Sequence, residues 1–317
     1  MDSDRIVRDL IISALAGRGR RPSGLGQVIS AIYLARTGLP EGDRIRDAAP
    51  YYWYMDGPDS DPVRKVFAGM VEEGAIVGVP HAARGMFRLA GGVAPEDGGE
   101  AADAARRHAA EFGDTCKTPA DLCAGHLPYG FYASYRRDLV PLLEGYCDDV
   151  IRHGGTDGAM RRGMLDALTG AVVEIPPGRE FMRFRMAISS YARSLRVLFQ
   201  EDGVHDGRVP GDAVAARRVC GMVWTAFACH ARIACHDPYY DGRVGGWRAG
   251  LEEQMAALED ETRVLEESVD RIPVLERYSE ETQRRIDRCE AGEFDSARSY
   301  SATEYLKMIT ARIGDGR

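Results

Sequence analysis

Residues 57–79 read GPDSDPVRKVFAGMVEEGAIVGV, and this stretch decides the architecture of the first third of the chain. Gly57-Pro58 breaks whatever precedes it, and Ser60 stands where a helix N-cap belongs, with Asp61 and Pro62 in the first turn. Val63, Val66, Phe67, Met70 and Val71 then recur at the spacing of one helix face until Gly74 stops the run. Two short apolar runs, Ala75 to Val79 and Gly85 to Ala90, flank His81-Ala82-Ala83-Arg84, so the helix leads straight into a hairpin.

Upstream, Ile6, Val7, Leu10, Ile11 and Ala14 form one helical face that ends at Gly17-Arg18-Gly19. Ser23 is expected to cap a second helix, with Leu25, Val28, Ile29, Ile32 and Tyr33 on its buried side and Gly38-Leu39-Pro40 at its end. The crowded aromatics Tyr51-Tyr52-Trp53-Tyr54-Met55 suit a half-buried extended segment better than a helix. Three helices and a β-hairpin in this order predict a winged-helix domain over residues 1–92.

Tyr54, Gly57-Pro58, Ser60 and the helix closing on Glu73-Gly74-Ala75-Ile76-Val77 resemble the Tyr-Gly-Pro-x-Ser segment, helix and wing of winged-helix proteins related to the Panacea domain, an antitoxin-associated module. Met55-Asp56 stand where that family tends to place a tyrosine directly before Gly-Pro. The resemblance covers the N-terminal part alone and implies a fold more firmly than an activity.

Residues 93–100, Val-Ala-Pro-Glu-Asp-Gly-Gly-Glu, can neither propagate a helix nor pair as a strand, and they are expected to be a linker. From 101 to 317 the pattern predicts a helical bundle, so the fold class is mainly α. Helices are expected over 101–112, 131–152, 158–169, 180–200 and 213–235. Capping-box signals open helices at Thr118-Pro119-Ala120-Asp121 and Ser301-Ala302-Thr303-Glu304. Leu251, Met255, Leu258, Thr262, Leu265, Val269 and Ile272 alternate steps of four and three residues, which predicts a long heptad-patterned helix over 246–272. That seam serves either the bundle itself or a homodimeric coiled coil.

The formal charge of −8 argues against a chain that wraps nucleic acid along its whole length. The acidity is uneven: residues 1–92 carry 12 basic against 11 acidic side chains, and the rest 29 against 38. With seven scattered cysteines and no charged-then-apolar leader after Met1, the expected setting is cytoplasmic, without disulfides. Val219 to Cys229 is far too short to span a bilayer, so no membrane association is expected.

No motif names a reaction or a cofactor. Gly17-Arg18-Gly19-Arg20-Arg21-Pro22 fails as a dinucleotide fingerprint, because it follows a helix and ends in proline. Cys229-His230 and Cys235-His236, and likewise Cys116, Cys123 and His126, lack knuckle or helical-pair spacing; buried structural cysteines are expected and no metal. Asp56, Asp59 and Asp61 lack the glycine and the final glutamate of a calcium loop and read as capping and turn residues. The arginines at 183, 185, 193 and 196 read as a solvated face, or as a basic groove if the acidic helices that follow do not pair with them.

The functional expectation is a regulatory or DNA-associated adaptor with no chemistry of its own. Residues 5–36 carry six arginines against the single acid Asp9. Arg18, Arg20 and Arg21, in a glycine-rich turn, are candidates for phosphate contacts, with Arg64 and Lys65 near the start of the third helix. Asp59 and Asp61 oppose this, since major-groove reading uses that end of the helix. A winged helix that holds a protein partner is the main alternative. The third is an enzyme centred on His230, His236 and Asp237.

Overall fold

The computed structural model describes residues 3–270, apart from residues 20, 81–84, 95–98, 113–117, 154–157 and 201–208. It is mainly helical with small antiparallel sheets. The expected helix at Ser301 and the seam residue Ile272 lie outside the described residues, as do Arg20, Cys116 and Cys289. The described residues up to Arg263 form one compact unit.

The N-terminal elements follow in order: α1 (Ser3–Gly17), β1 (Ser23–Gly24), α2 (Leu25–Thr37), α3 (Arg44–Ala48), β2 (Tyr52–Tyr54), β3 (Gly57–Asp59), α4 (Asp61–Glu72), β4 (Ile76–Gly78) and β5 (Met86–Leu89). Ile6, Val7, Leu10, Ile11 and Ala14 are buried, as the helical spacing requires. Ser23 does not cap α2. It sits in β1, pairing with Phe87, and Gly24 takes the N-cap position. The sheet order β1-β5-β4 therefore includes a strand that lies between α1 and α2 in the chain. The aromatic run is extended as expected: Tyr52, Trp53 and Tyr54 pair with Asp59, Pro58 and Gly57.

The expected linker does not separate two cores. Helix α5 (Glu100–Glu111) packs against α1 and α2, and Ala101, Ala105, Ala109 and Phe112 are buried in the same cluster as Leu10, Ile29 and Phe67. Small side chains explain the closeness: a Cβ at Gly17 would lie 2.2 Å from the carbonyl oxygen of Arg106. The short α6 (Pro119–Leu122) opens with the expected capping box, in which Thr118 Oγ1 accepts from the Asp121 N–H. It presses on the β2–β3 turn, where Ala120 N–H donates to the Asp56 carbonyl at 2.6 Å. Gly57 has φ +141°, and a Cβ there would meet Ala120 N at 2.8 Å, so the Gly-Pro step answers both to its backbone angle and to its neighbour.

The remaining helices lie close to the expected ranges: α7 (Val140–His153), α8 (Gly158–Val173), α9 (Met182–Gln200), α10 (Val209–Ala234) and α11 (Val244–Asp270). Short 3-10 turns precede α9 and α11, at Arg179–Phe181 and Pro238–Arg243. The expected helix 131–152 opens differently, because Tyr132–Leu139 is π-helical before α7 begins. Tyr132, Tyr135 and Leu139 are buried there beside Phe131, Phe184, Trp224 and Phe227. Phe131 and Phe227 lie 4.4 Å apart between ring centroids, and Tyr135 Oη donates to the Cys220 carbonyl at 2.9 Å.

Leu251, Met255, Leu258 and Thr262 of α11 are already buried within the single chain, so these seam positions leave no bare stripe for a second copy. The arginines of α9 do not build a basic groove: Arg183 pairs with Glu252 and Glu259 of α11, and Arg185 donates to the Pro176 carbonyl. No helix among the described residues is long and apolar enough to cross a membrane.

Candidate functional site

Of the described residues proposed for phosphate contact, Arg18, Arg64 and Lys65 are engaged within the chain. Arg18 is buried, and its Nε–H donates to Ser23 Oγ at 3.2 Å, so this side chain ties α1 to β1. Arg21 is exposed, and Arg20 lies outside the described residues. Arg64 grips Asp59 through two hydrogen bonds of 2.6 and 2.8 Å, and Lys65 reaches Asp4 at 3.3 Å.

The first turn of α4 is covered by the chain's own later residues. Ser60 occupies the N-cap but makes no side-chain cap bond. The Asp61 N–H instead donates to Tyr240 Oη at 3.0 Å, and the Asp61 carboxylate takes Arg243 and the Tyr52 hydroxyl. Tyr52 meets the rings of Tyr240 and Trp247 at 4.9 and 5.3 Å. A distant tyrosine thus satisfies an orphan donor of this helix end, where acids are also favoured by the helix dipole.

The two Cys-His pairs separate. Cys229 and His230 are buried in the bundle, with His230 4.8 Å from the Phe181 ring, and burial pushes the imidazole down to about 4. Cys123, Cys147 and Cys220 are buried too, and burial pushes their thiols up to about 12, 12 and 11, away from nucleophilic thiolates. Among the described residues no group of three His, Cys, Asp or Glu is arranged to hold a metal.

Cys235, His236 and Asp237 behave differently, because here the chain leaves α10 and lies beside β2. Trp53 N–H donates to the Cys235 carbonyl at 3.0 Å, Tyr52 bridges His236, and Asp237 N–H donates to the Tyr51 carbonyl at 2.8 Å. The Asp237 carboxylate accepts from Tyr51 N–H at 2.6 Å and from Arg36 at 2.7 Å. Arg36, in the last turn of α2, has a side chain only 7% exposed, stacks over the Tyr51 ring at 5.0 Å and, among the described residues, finds no acceptor for its Nε–H. His236 faces Ile233 O and Asp241 through its two ring nitrogens.

Around this junction lies the candidate site. A cleft of about 430 Å³ is lined by Arg36, Glu41, Arg46, Asp47, Asp237 and Tyr239 among others. A second hollow of about 300 Å³ shares Arg36, Arg46 and Asp237 and adds Tyr33, Tyr51, Trp53, Cys235 and His236. Both sizes fall at the small end of ligand-binding clefts. The floor is rigid: Tyr33 meets Tyr51 and Trp53 edge-on at 5.3 and 5.6 Å, and the Asp43 side chain caps α3 by accepting from Ile45 N–H at 2.8 Å.

Sequence reasoning picked out His236 and Asp237, counted Arg36 in the basic stretch and read Tyr33 as part of the buried face of α2, but it did not bring them together and passed over Arg46 and Tyr239. Comparison with protein-family models, with curated proteins and with solved structures finds no match for this chain.

Proposed function

We propose that this chain is a non-catalytic regulatory protein that carries a winged-helix-type module, engages a protein partner and does not read duplex DNA through α4. The order of α1, β1, α2, α4 and the β4–β5 hairpin supports the winged-helix reading, as does the resemblance carried by Tyr54, Gly57-Pro58 and Ser60. The observation that carries the preference for a protein partner is the covered first turn of α4. A recognition helix enters the major groove with that end, and here it is occupied by Tyr240 and Arg243. Arg64 is engaged by Asp59, and Arg18 is buried.

A surface suited to a partner exists elsewhere. Met182 and Met186, one turn apart on α9, are 55% and 69% exposed, and flexible thioether side chains adapt to varied apolar partners. The test has two arms on the full-length protein. Anisotropy titrations with a labelled duplex at low salt are expected to show no binding. Saturable binding that is lost in Arg64→Ala/Lys65→Ala overturns the proposal in favour of DNA. Exchanging Met182 and Met186 for lysine is expected to release a stoichiometric partner co-purified from the native cells while leaving the melting temperature unchanged; a partner retained by that variant removes this surface from the reading.

A further inference from the structure

We propose that the cleft between the end of α2, α3 and residues 235–239 binds a small zwitterion carrying a flat ring, the class of the aromatic α-amino acids. The charges left over in the cleft point to such a ligand. Arg36 and Asp237 answer one another at 2.7 Å, which leaves Arg46 as a cation and Glu41 and Asp47 as anions. Arg46 donates to the Leu39 carbonyl at 3.2 Å, and none of these three side chains forms an ion pair among the described residues.

A buried guanidinium with an unanswered N–H is costly unless something compensates it. Arg36 is such a group: it lines both hollows, and among the described residues its Nε is unpartnered and Asp237 is its one hydrogen-bonded acceptor. A carboxylate seated between Arg36 and Arg46 accepts charge-assisted hydrogen bonds of the kind arginine makes best. An ammonium on the same carbon then faces the Asp47 and Glu41 side. Aromatic surface accompanies both charges: Tyr33 and Trp53 line the inner hollow, and Tyr239, 61% exposed, stands at the outer rim.

Simpler ligands satisfy less of the site. An aromatic acid without an amine leaves Asp47 and Glu41 unanswered, and an aromatic amine without a carboxylate leaves Arg46 and the Arg36 Nε–H unanswered. This inference does not depend on which macromolecule the protein engages.

Isothermal titration calorimetry of the full-length protein decides it, using L-tryptophan, L-phenylalanine, indole-3-acetate and tryptamine as probes. At least one of the two amino acids is expected to bind, and L-tryptophan to bind more tightly than either truncated analogue. Arg46→Gln is expected to weaken the amino acid about tenfold or more, the loss typical of a charge-assisted hydrogen bond, while leaving weak tryptamine binding unchanged. Tyr239→Ala, at an exposed position, provides a second variant that reports on the ring without touching the charges, and it is expected to weaken all ring-bearing probes together. No heat from either amino acid at millimolar concentration overturns the proposal. So does equal binding of tryptamine, or unaltered binding of L-tryptophan by both variants.

Discussion

The chain is packed in two different ways. Around α1, α2 and α5 the core is built from Ile, Val, Leu and Ala, with Leu10, Ile11, Ile29 and Ala105 almost wholly enclosed. Around the π-helical segment, α9 and α10 it is built from rings, with Phe131, Tyr135, Phe184, Tyr191 and Phe227 enclosed. Among the described residues, the aromatic region also holds more buried polar atoms without acceptors or donors, among them Tyr132 Oη, Trp224 Nε1 and His230 Nε2. Aliphatic packing fixes shape with few polar demands, whereas aromatic packing buries larger surface and leaves polar atoms to be satisfied.

The largest expected effect tests whether these regions fold together. Phe227→Ala should cost about 3–5 kcal/mol and Leu10→Ala about 2–5 kcal/mol, the range for emptying fully buried positions. Because the described residues up to Arg263 form one compact unit, both should shift the same urea transition, followed by tryptophan fluorescence and by far-ultraviolet circular dichroism. Two separate transitions, each answering to one substitution, would break the picture of a shared unit.

Next in size is the junction itself. Asp237→Ala should cost about 3 kcal/mol, since it leaves the buried Arg36 and the Tyr51 N–H without their acceptor. The double variant Arg36→Met/Asp237→Ala should recover much of that loss, because no charge is then stranded. A loss from Asp237→Ala that the double variant does not relieve would reassign the effect to the Tyr51 backbone.

His230 sharpens the comparison through pH. Burial lowers its folded-state value to about 4 from the ordinary 6.5, with Glu180 and Glu252 opposing the shift. The unfolded chain therefore takes up a proton that the folded chain refuses between those values. The stabilising contribution is complete above 6.5 and is lost as pH falls towards 4, a change of about 2–3 kcal/mol. His230→Phe, beside Phe181 and Phe184, should remove this dependence, so the stability difference between variant and parent should grow in the variant's favour as the solution is acidified. A difference curve flat across that interval would disprove it.

The smallest effect belongs to the α4 cap: Tyr240→Phe removes the acceptor of the Asp61 N–H and should cost about 1 kcal/mol in the same denaturation assay.

Much of the fold was legible where side chains repeat locally. The faces of α1 and α4, the extended aromatic run and the Thr118 capping box all follow from spacing that one element imposes on its own residues. Ser23 was misread because a serine before an apolar helix looks like a cap whether or not a strand from elsewhere pairs with it. The place of α5 was hidden for a similar reason: its alanines announce a helix that packs closely, but not which core it joins. The cleft was least legible. Arg36 and Asp237 are 201 positions apart, and no periodicity connects an arginine at the end of one helix to an aspartate beyond another.

That separation also has a consequence in time. During synthesis at about 5–20 residues per second, roughly 200 residues take about 10–40 s to follow the first partner out of the ribosome. Throughout that interval Arg36 and the Tyr51 N–H have no aspartate, and the first turn of α4 has no tyrosine. Until residues 235–243 arrive those donors are left to water, so the junction with Tyr51 and Asp61 can close only late in synthesis.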